Sequence, residues 1–225
     1  MRVRKAGAIL VVDVGGTNVK LLASGMKAPR KIPSGPRMTP RRMVREVKRA
    51  AADWAYGRVA IGFPGPVADG RSALDPVNLG RGWRGFDFHK AFGCPVLVIN
   101  DAAMQALGSY RSGRMLFLGL GTGMGSALIV EGVLQPLELS HLPYKKGKTY
   151  EDYLGRRGLL KLGKKRWRRE VFEVVELLKF GLQVDDVVLG GGNAKKLKTI
   201  PPGARLGSNR NAFAGGFRLW EGAAG

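Results

Sequence analysis

The sequence predicts an α/β protein of 225 residues, and three observations support this prediction. Hydrophobic residues make up 44% of the chain, which is enough for a buried core and excludes a wholly disordered basic tail. A strand, a glycine turn and a second strand occur near the start and recur 106 residues later, from Gly15 to Gly121. Between these two strand–turn–strand repeats, strands alternate with helical patterns. Two similar lobes are the organisation that fits this repetition.

In the first half of the chain, apolar runs alternate with polar and glycine-rich segments. We expect strands there at 8–14, 19–23, 59–61 and 95–99. Thr39-Pro40 is a typical helix start, because threonine caps a helix and proline fits its first turn. A second helix is predicted at 102–110, directly after the fourth strand. For residues 24–38, which glycine and proline interrupt, the pattern predicts only a short connection.

The second half contains the second pair of strands and two longer helical patterns. We expect strands at 115–120, 126–130 and 184–189. Thr149 is placed to cap a helix that runs through Tyr153. Apolar residues at helical spacing from Trp167 to Leu178 predict a longer amphipathic helix that ends at Gly181. A final helix is expected at 212–220.

Three glycine turns follow predicted strands, at 15–18, 121–125 and 190–193. Backbone N–H groups in such turns can hold phosphate oxygens, and the alternative is that each is only a tight turn. The second turn is not a dinucleotide fingerprint, because a strand follows it where a helix should begin. The chain also has no Gly-Lys-Ser/Thr sequence, which excludes a P-loop.

Four polar side chains in the predicted loops are candidate functional residues. Asp13 precedes the first glycine turn, where it can hold Mg²⁺ through water or merely cap the turn. Asp101 ends an apolar strand and begins a helix, which suits a cleft carboxylate or a plain helix cap. Glu138 and His141 share one loop and form a reasonable pair for hydrogen bonds to sugar hydroxyls, although a lone histidine is more often structural.

The formal net charge of +21 implies a polyanionic partner, which could be nucleic acid, an acidic membrane or a phosphate chain. Eleven lysines and arginines lie between Lys145 and Arg169, against only Glu151 and Asp152. Such an excess of like charge costs stability unless an anion relieves it. We therefore predict an anion track formed by Lys164, Lys165, Arg166, Arg168 and Arg169. The candidates to extend it are Lys195, Lys196 and Lys198.

Cysteine usage and hydropathy limit the cellular context. The single cysteine, Cys94, excludes a disulfide scaffold and a zinc site built on several thiolates, and it fits a reducing compartment. No apolar run approaches the roughly 20 residues that cross a bilayer. The apolar start of the chain runs into Asp13 without a cleavage site for a signal peptidase, so we expect a cytoplasmic protein with no membrane partner and no zinc.

Taken in order, six motifs resemble those of the ROK sugar kinases, and among these they are most similar to the polyphosphate glucokinases. The resemblance covers nearly the whole chain, and six ordered motifs are far more specific than one glycine turn. The motifs are DVGGTNVK at 13–20, GFPGPV at 62–67, NDA at 100–102, LGTGMGS at 120–126, ELSH at 138–141 and LGGGN at 189–193.

The resemblance implies an actin-like, ribonuclease H-like α/β fold of two lobes, with the active site in the cleft between them. We expect an N-terminal lobe at 1–113 and a C-terminal lobe at 114–225. Asp101 would be the catalytic base, and Asp13 would hold Mg²⁺ through water. The implied sugar-binding residues are Asn78, Asn100, Asp101, Glu138, His141 and Glu151. The implied phosphate and donor residues are Asp13, Gly15, Gly16, Thr17, Asn18, Lys20, Gly121, Thr122, Gly123, Gly191 and Gly192.

Three departures from the family pattern bear on these expectations. The cysteine-rich zinc motif that many ROK proteins carry after the Glu/His stretch is absent here, as it is from the polyphosphate glucokinases. Ser140 replaces the usual glycine before His141, which affects how that histidine is held. The ROK repressors carry a DNA-binding segment ahead of the first glycine motif, whereas only twelve residues precede Asp13 here.

The expected activity is transfer of a phosphoryl group from polyphosphate, and also from ATP, to the 6-hydroxyl of glucose with Mg²⁺ as cofactor. One alternative is an ATP-dependent ROK hexokinase with another sugar specificity. A second is a non-catalytic sugar sensor or a basic nucleic-acid-binding protein on the same fold. The expected partners are glucose, polyphosphate and a second copy of this chain, and nucleic acid is not expected.

Overall fold

The computed structural model describes residues 7–208 and 210–221, which fold into two compact units. Among these residues, the first unit comprises 7–104 and 212–221, and the second lies within 105–211. Each unit has its own sheet and its own hydrophobic core. None of the helices in the described ranges has the length and apolar character that crossing a membrane requires.

The first unit is built on a five-stranded sheet and a small separate hairpin. Its strands are β1 (Ile9–Val14), β2 (Asn18–Ala23), β3 (Arg30–Pro33), β4 (Arg58–Phe63), the hairpin strands β5 (Val67–Ala68) and β6 (Arg71–Ser72), and β7 (Val96–Asn100). The sheet order is β3-β2-β1-β4-β7, in which β1 and β2 are antiparallel and β1, β4 and β7 are parallel. The predicted first hairpin is confirmed, and the carboxyl ends of the three parallel strands meet at one edge.

Besides the last helix, the first unit contains α1 (Pro40–Ala50), α2 (Phe88–Phe92) and the first turn of α3 (Asp101–Ser109). As predicted, α1 starts at Thr39-Pro40, where the Thr39 hydroxyl oxygen accepts a hydrogen bond from Arg42 N at 3.3 Å. The apolar face of α1 is buried in the core of the unit, where Trp83 is fully buried. Burial of this face stabilises the helix more than its intrinsic propensity does.

The second unit repeats the five-stranded plan. Its strands are β8 (Arg114–Leu120), β9 (Met124–Val130), β10 (Val133–Leu137), β11 (Asp186–Gly190) and β12 (Ala204–Leu206), in the order β10-β9-β8-β11-β12. The predicted second hairpin is confirmed by the antiparallel pair β8 and β9. Five strands were not predicted: β3, β10 and β12, each at the edge of its sheet, and β5 and β6 of the small hairpin. The segment 24–38 therefore contains a strand and is more than a connection.

Two consecutive helices cover one face of the second sheet, α4 (Tyr150–Leu154) and α5 (Arg156–Leu182). The predicted cap at Thr149 is confirmed, and Asp152 completes a capping box with it. The long helix begins earlier than its apolar pattern indicated and is interrupted at Gly163, whose φ of 71° is non-helical. It also continues past Gly181 to Leu182, because Gln183 supplies the left-handed cap with φ 51°.

The last helix, α6 (Asn211–Glu221), packs on the sheet of the first unit. Gly216 permits this close approach, since a Cβ there would overlap the side chain of Val11. Trp220 Nε1 also donates a hydrogen bond to Val59 O at 3.2 Å. The compact units therefore divide the chain differently from the expected lobes at 1–113 and 114–225.

Parts of those expected lobes, namely residues 1–6, 209 and 222–225, lie outside the described residues.

Candidate active site

The first glycine turn connects β1 to β2 and carries an ion pair at its base. Gly15 N donates to Asn18 O at 3.1 Å, which closes the turn. Asp13 lies directly opposite Lys20 in the antiparallel ladder, so both side chains leave the same face of the sheet. Lys20 Nζ is 2.9 Å from Asp13 Oδ2, and Asp13 is only 8% exposed. Lys20, expected to bind phosphate, is therefore also the partner of Asp13.

Two further segments hold the first turn from outside the hairpin. Ser34 N donates to Thr17 O at 2.9 Å, and the Ser34 hydroxyl donates to Gly15 O. The Asn78 side chain lies against Gly16, 3.1 Å from the position that a Cβ would take there. The structure therefore brings Asn78, an expected sugar-binding residue, to the first turn.

The loop that carries Asn78 is anchored by a carboxylate. Asp75 Oδ1 accepts hydrogen bonds from Trp83 N at 2.7 Å and Arg84 N at 3.2 Å. The hydrogen bond from Trp83 N is the main reason that the pKa of Asp75 is lowered, because it favours the ionised carboxylate. The loop is thus held at both of these backbone groups while Asn78 itself stays exposed.

Asp13 and Asp101 belong to the same edge of the first sheet. Asp13 is in register with Gly62 on β4, which is in register with Ile99 on β7, two residues before Asp101. The Asp101 Cα is 3.6 Å from the position that a Cβ would take at Gly62. Parallel strands that end together bring both carboxylates to one edge, where α/β proteins bind ligands.

Asn100, and not Asp101, caps helix α3. Asn100 Oδ1 accepts hydrogen bonds from Ala102 N at 2.8 Å and Ala103 N at 3.2 Å, and its Nδ2 donates to Gly65 O at 3.1 Å. The half-buried Asp101 is the first residue of the helix and accepts a hydrogen bond from Ala102 N at 2.8 Å. Asn100 therefore positions the start of α3 and fixes where the Asp101 side chain leaves the backbone.

The second glycine turn connects β8 to β9 and is held by the turn after β11. Gly121 N donates to Gly123 O at 3.0 Å within the turn. Asn193 Nδ2 donates to Gly121 O at 2.8 Å, and Asn193 N donates to Leu120 O at 2.9 Å. Gly191 has a φ of 81°, and a Cβ there would lie 2.5 Å from Leu120 O. The close approach of the two turns thus requires glycine at 191, whereas the Cβ position at Gly192 is open.

Helices α4 and α5 support the same turn from another direction. Glu151 Oε2 accepts a hydrogen bond from Met124 N at 3.1 Å and would overlap a Cβ at Gly123. Arg156 N, at the start of α5, donates to Thr122 O at 3.1 Å. Glu151 was expected to contact the sugar, and the structure places its carboxylate on the second turn.

Glu138 and His141 are exposed at the two ends of a short 3₁₀ turn. The buried Ser140 hydroxyl donates to Glu138 Oε2 at 3.4 Å, so the serine that replaces the family's glycine binds the neighbouring carboxylate. Ser126 accepts a hydrogen bond from Leu139 N at 3.1 Å and donates to Leu137 O at 2.9 Å. These contacts attach the Glu/His loop to β9, the strand that leaves the second glycine turn.

The basic segment is less uniform than its composition indicates. Lys145 Nζ lies 3.0 Å from Glu170 Oε2 and 2.6 Å from Glu173 Oε2, two carboxylates on α5 just beyond the segment. Although desolvation lowers the pKa of Lys145, the hydrogen bonds to Glu173, Tyr144 and Glu170 raise it overall. Burial raises the pKa of Tyr144 to about 12. Four of the five predicted track residues, namely Lys164, Lys165, Arg166 and Arg169, are exposed, and Arg168 is half-buried.

The donor set fits magnesium only in the outer shell. In the described ranges, no group of three or more His, Cys, Asp or Glu side chains could hold a metal ion. Mg²⁺ usually keeps several waters and binds one or two carboxylates together with substrate phosphates. Asp13, whose charge Lys20 already compensates, fits that water-mediated role and no all-protein metal site.

Two residues at these turns, Ser34 and Asn193, were missed by the sequence analysis as site residues, whereas Lys196 was expected only as an extension of the anion track. Ser34 follows an edge strand that the sequence did not predict, so no pattern pointed to it. Asn193 ends the LGGGN motif, and its place after three glycines was the available signal. Lys196 Nζ donates to Asn193 Oδ1 at 2.8 Å, a contact that only the fold reveals.

Comparisons with known proteins agree with this architecture. The model of the ROK family matches residues 9–136. The bifunctional enzyme NanE/NanK of Brucella melitensis is 32% identical over 151 residues, which cover 58% of this chain and only 28% of that enzyme. A polyphosphate glucokinase of Mycobacterium tuberculosis is 26% identical over 223 residues, which cover 84% of this chain and 80% of that protein.

Among solved structures, an inorganic polyphosphate/ATP-glucomannokinase from Arthrobacter sp. strain KM matches with a TM-score of 0.80 at 24% identity. The match covers 96% of this chain and 99% of that one. At this identity the likeness concerns the fold alone, and it confirms the expected actin-like α/β class.

Proposed function

The chain belongs to the ROK family, and we propose that it is a glucokinase that uses polyphosphate, and also ATP, to phosphorylate the 6-hydroxyl of glucose. As a ROK sugar kinase it is a phosphotransferase, and the choice of glucose and polyphosphate is the proposal. The main supporting observation is the register of the parallel strands β1, β4 and β7. Asp13 on β1 is level with the end of β7, and Asp101 directly follows that strand. A phosphate-side carboxylate and a candidate base at one sheet edge suit phosphoryl transfer to a hydroxyl.

Asp101 supplies the acceptor chemistry in this proposal. Its carboxylate accepts the proton of the sugar hydroxyl as that oxygen attacks phosphorus, which is the role of a general base. Asn100 supports this role by capping α3 with its own amide oxygen, so that the Asp101 carboxylate is not the principal cap. Asn78, Glu138 and His141 are exposed and free of any such capping contact, which suits hydrogen bonds to sugar hydroxyls.

The second glycine turn supplies the donor chemistry. Backbone N–H groups around Gly121 and Gly123 stabilise the charge on the phosphoryl group in transit, as preorganised donors do. Asn193 and Glu151 support this role by holding the turn through hydrogen bonds to Gly121 O and from Met124 N, respectively. Glu151 thereby acts on the donor side, in addition to the sugar contact that the family resemblance implies.

Magnesium, when bound with the donor, supplies positive charge to the phosphate oxygens, and Asp13 would hold it through water. Purified protein treated with a chelator should lose activity and recover it on addition of Mg²⁺. Metal analysis should find no stoichiometric zinc, because zinc needs several thiolate or imidazole ligands. Tightly bound zinc, or full activity in the chelator, would contradict this part of the proposal.

Two observations support polyphosphate as the donor. The Mycobacterium tuberculosis relative bears the name polyphosphate glucokinase and aligns with most of this chain. The chain also carries a net charge of +21, far more than the few negative charges of ATP can engage. A polyphosphate chain carries about one charge per unit and can occupy such a surface by releasing counterions, as other polyelectrolytes do.

The decisive experiment runs glucose with polyphosphate and with ATP in parallel, and detects glucose 6-phosphate through a coupled dehydrogenase. An Asp101→Asn preparation purified identically controls for contaminating kinases. Turnover with polyphosphate supports the proposal. Turnover with ATP alone would make the chain an ATP-dependent hexokinase of the family. Sugar binding without turnover on either donor would make it a non-catalytic sensor.

A further inference from the structure

The cations of the predicted track do not share one side of helix α5. Arg166 and Arg168 are two residues apart, which separates their side chains by about 200° around a helix. Arg166 Nε lies 3.9 Å from Glu170 Oε1, whereas Arg168 Nε donates to Lys196 O at 2.7 Å. The two arginines therefore face different surroundings, and only one of these can continue towards the phosphate turn.

The Arg166 side is compensated by acidic residues. Glu170 is buried and is shared between Arg166 and Lys145, and Glu173 also binds Lys145. The hydrogen bond from Lys145 is the main cause that lowers the pKa of Glu173, and it favours the charged carboxylate. A phosphate chain on this side would meet two carboxylates, so the local balance of charge disfavours it.

The Arg168 side leads to the second glycine turn through two side chains. Lys196, whose carbonyl binds Arg168, donates its Nζ to Asn193 Oδ1 at 2.8 Å. Asn193 in turn donates to Gly121 O at 2.8 Å. An ammonium group has three donor hydrogens, and the contact with Asn193 uses one of them. The Lys196 charge is thus held one side chain away from the turn and keeps donors for another acceptor.

We infer that Lys196 and Arg168 form a phosphate-binding subsite, in which the donor chain passes from the second turn over Lys196 to the Arg168 side of α5. This inference rests on the proposed function, since it names the path of the polyphosphate donor. It narrows the predicted track, because Arg166 belongs to the acidic cluster and not to the path. The Lys196 ammonium and the Arg168 guanidinium carry fixed charge, and each engages a phosphate oxygen through charge-assisted hydrogen bonds.

The test compares three single variants on the full chain, namely Lys196→Gln, Arg168→Gln and Arg166→Gln. A matched control is Lys179→Gln, because Lys179 also lies on α5 and also donates to a backbone carbonyl, that of Pro202 at 3.0 Å. Equilibrium binding of long-chain polyphosphate is measured without glucose, and steady-state KM values are measured for polyphosphate and for glucose. Thermal unfolding checks that each variant is folded, and Arg168→Lys and Lys196→Arg serve as conservative rescues.

The subsite predicts roughly tenfold weaker polyphosphate binding for Lys196→Gln and Arg168→Gln, the size of one charge-assisted hydrogen bond. The salt dependence of binding should also become shallower, by roughly 0.7 to 0.9 in the log–log slope per lost contact. Arg166→Gln and Lys179→Gln should change polyphosphate binding less than twofold. The glucose KM should stay unchanged in all variants. The conservative variants Arg168→Lys and Lys196→Arg should keep most of the polyphosphate affinity. Equal losses in Arg166→Gln and Arg168→Gln would overturn the path.

Failure of the subsite and failure of the proposed function give different results. If wild-type protein phosphorylates glucose from polyphosphate but Lys196→Gln and Arg168→Gln bind it normally, the function stands and the path is wrong. If wild-type protein binds polyphosphate through these two residues but does not transfer phosphate, the subsite stands and the donor assignment fails. If a single-stranded oligonucleotide binds as tightly and the variants weaken it equally, the site is a general polyanion surface and the inference is overturned.

Discussion

The two glycine turns look alike in sequence but are held by different chemistry. The first is supported by the Ser34 hydroxyl, by packing of Asn78, and by the ion pair between Asp13 and Lys20 at its base. The second is held by the carboxylate of Glu151 and the amide of Asn193. The two turns therefore share a backbone motif but differ in the side chains that contact them.

The difference lies mainly in where the charges are. On the first sheet, the carboxylates Asp13 and Asp101 share the edge that the turn adjoins, which suits a metal ion and proton acceptance. On the second sheet, the contacts beyond the turn lead to Lys196 and Arg168, which suit an anion. The comparison therefore separates the proposed base, Asp101 in the first unit, from the proposed contacts to the donor chain, Lys196 and Arg168 in the second, and the following changes test that division.

The largest effect is expected for Asp101→Asn. Loss of the general base should lower kcat by roughly 10²–10⁴ while the glucose KM stays near its wild-type value. Asp87→Asn is the matched control, because Asp87 caps α2 by accepting a hydrogen bond from Lys90 N at 2.8 Å and has no proposed part in catalysis. Near-normal turnover of Asp101→Asn, in protein that melts like the wild type, would remove Asp101 from the mechanism.

Gly191→Ala tests how closely the turns of the second unit must approach. An alanine Cβ would press on Leu120 O in a backbone with φ 81°, so we expect a loss of about 1–3 kcal/mol in the free energy of unfolding. Gly192→Ala should unfold like the wild type, since its Cβ position is open. Urea titration measures both, and equal stability of the two variants would mean that the second turn is not tightly built.

Glu151→Ala tests whether the second turn depends on a carboxylate. Removal of the acceptor for Met124 N should raise the donor KM roughly tenfold, the effect of losing one hydrogen bond to a charged group. Glu151→Gln keeps an acceptor oxygen and should have a smaller effect. Ser34→Ala, which removes a neutral hydrogen bond from the first turn, should change the donor KM less than Glu151→Ala does. A change in glucose KM alone would return Glu151 to a purely sugar-binding role.

The smallest expected effect concerns two carboxylates that accept backbone hydrogen bonds, Asp75 in the first unit and Asp152 in the second. Hydrogen bonds from Trp83 N and Thr149 N, respectively, are the main causes that lower the pKa of each carboxyl from its ordinary value of 3.8. A lowered folded pKa adds stability above pH 3.8 that is lost as the pH falls through the folded value.

The variants Asp75→Asn and Asp152→Asn should therefore be less stable than the wild type at neutral pH, and the difference should shrink as the pH falls below about 4. Denaturant unfolding at a series of pH values measures this. A difference that stays constant with pH would mean that the charge of the carboxylate contributes nothing.

Strands with strong hydrophobic runs, including the edge strand β7, were predictable, whereas the other edge strands were not. The strands β1, β4, β8 and β11 lie inside their sheets and are largely buried, so each is a run of apolar residues that stands out in the sequence. The edge strand β3 reads Arg-Lys-Ile-Pro, and β12 has only three residues. Edge strands face solvent on one side and tolerate charge and proline, so hydrophobic patterning does not mark all of them.

The candidate site was predictable as positions but not as contacts. Asp13 and Asp101 were found because a carboxylate at the end of an apolar run is conspicuous. The link from Glu151 to Met124 spans 27 residues, and the link from Asn193 to Gly121 spans 72, so no local pattern encodes either. The division of Arg166 and Arg168 between two surroundings likewise depends on what packs beside α5 and could not be read from a count of charges.

The salt dependence of the two donor KM values tests most directly that the second unit binds a polyanion for transfer to glucose. The account predicts that KM for long-chain polyphosphate rises steeply between low and moderate salt, because each contacted phosphate releases counterions. KM for ATP, which engages only a few charges, should change little over the same range. Equal and shallow salt dependence of both donors, or full turnover with ATP and none with polyphosphate at low salt, would contradict it.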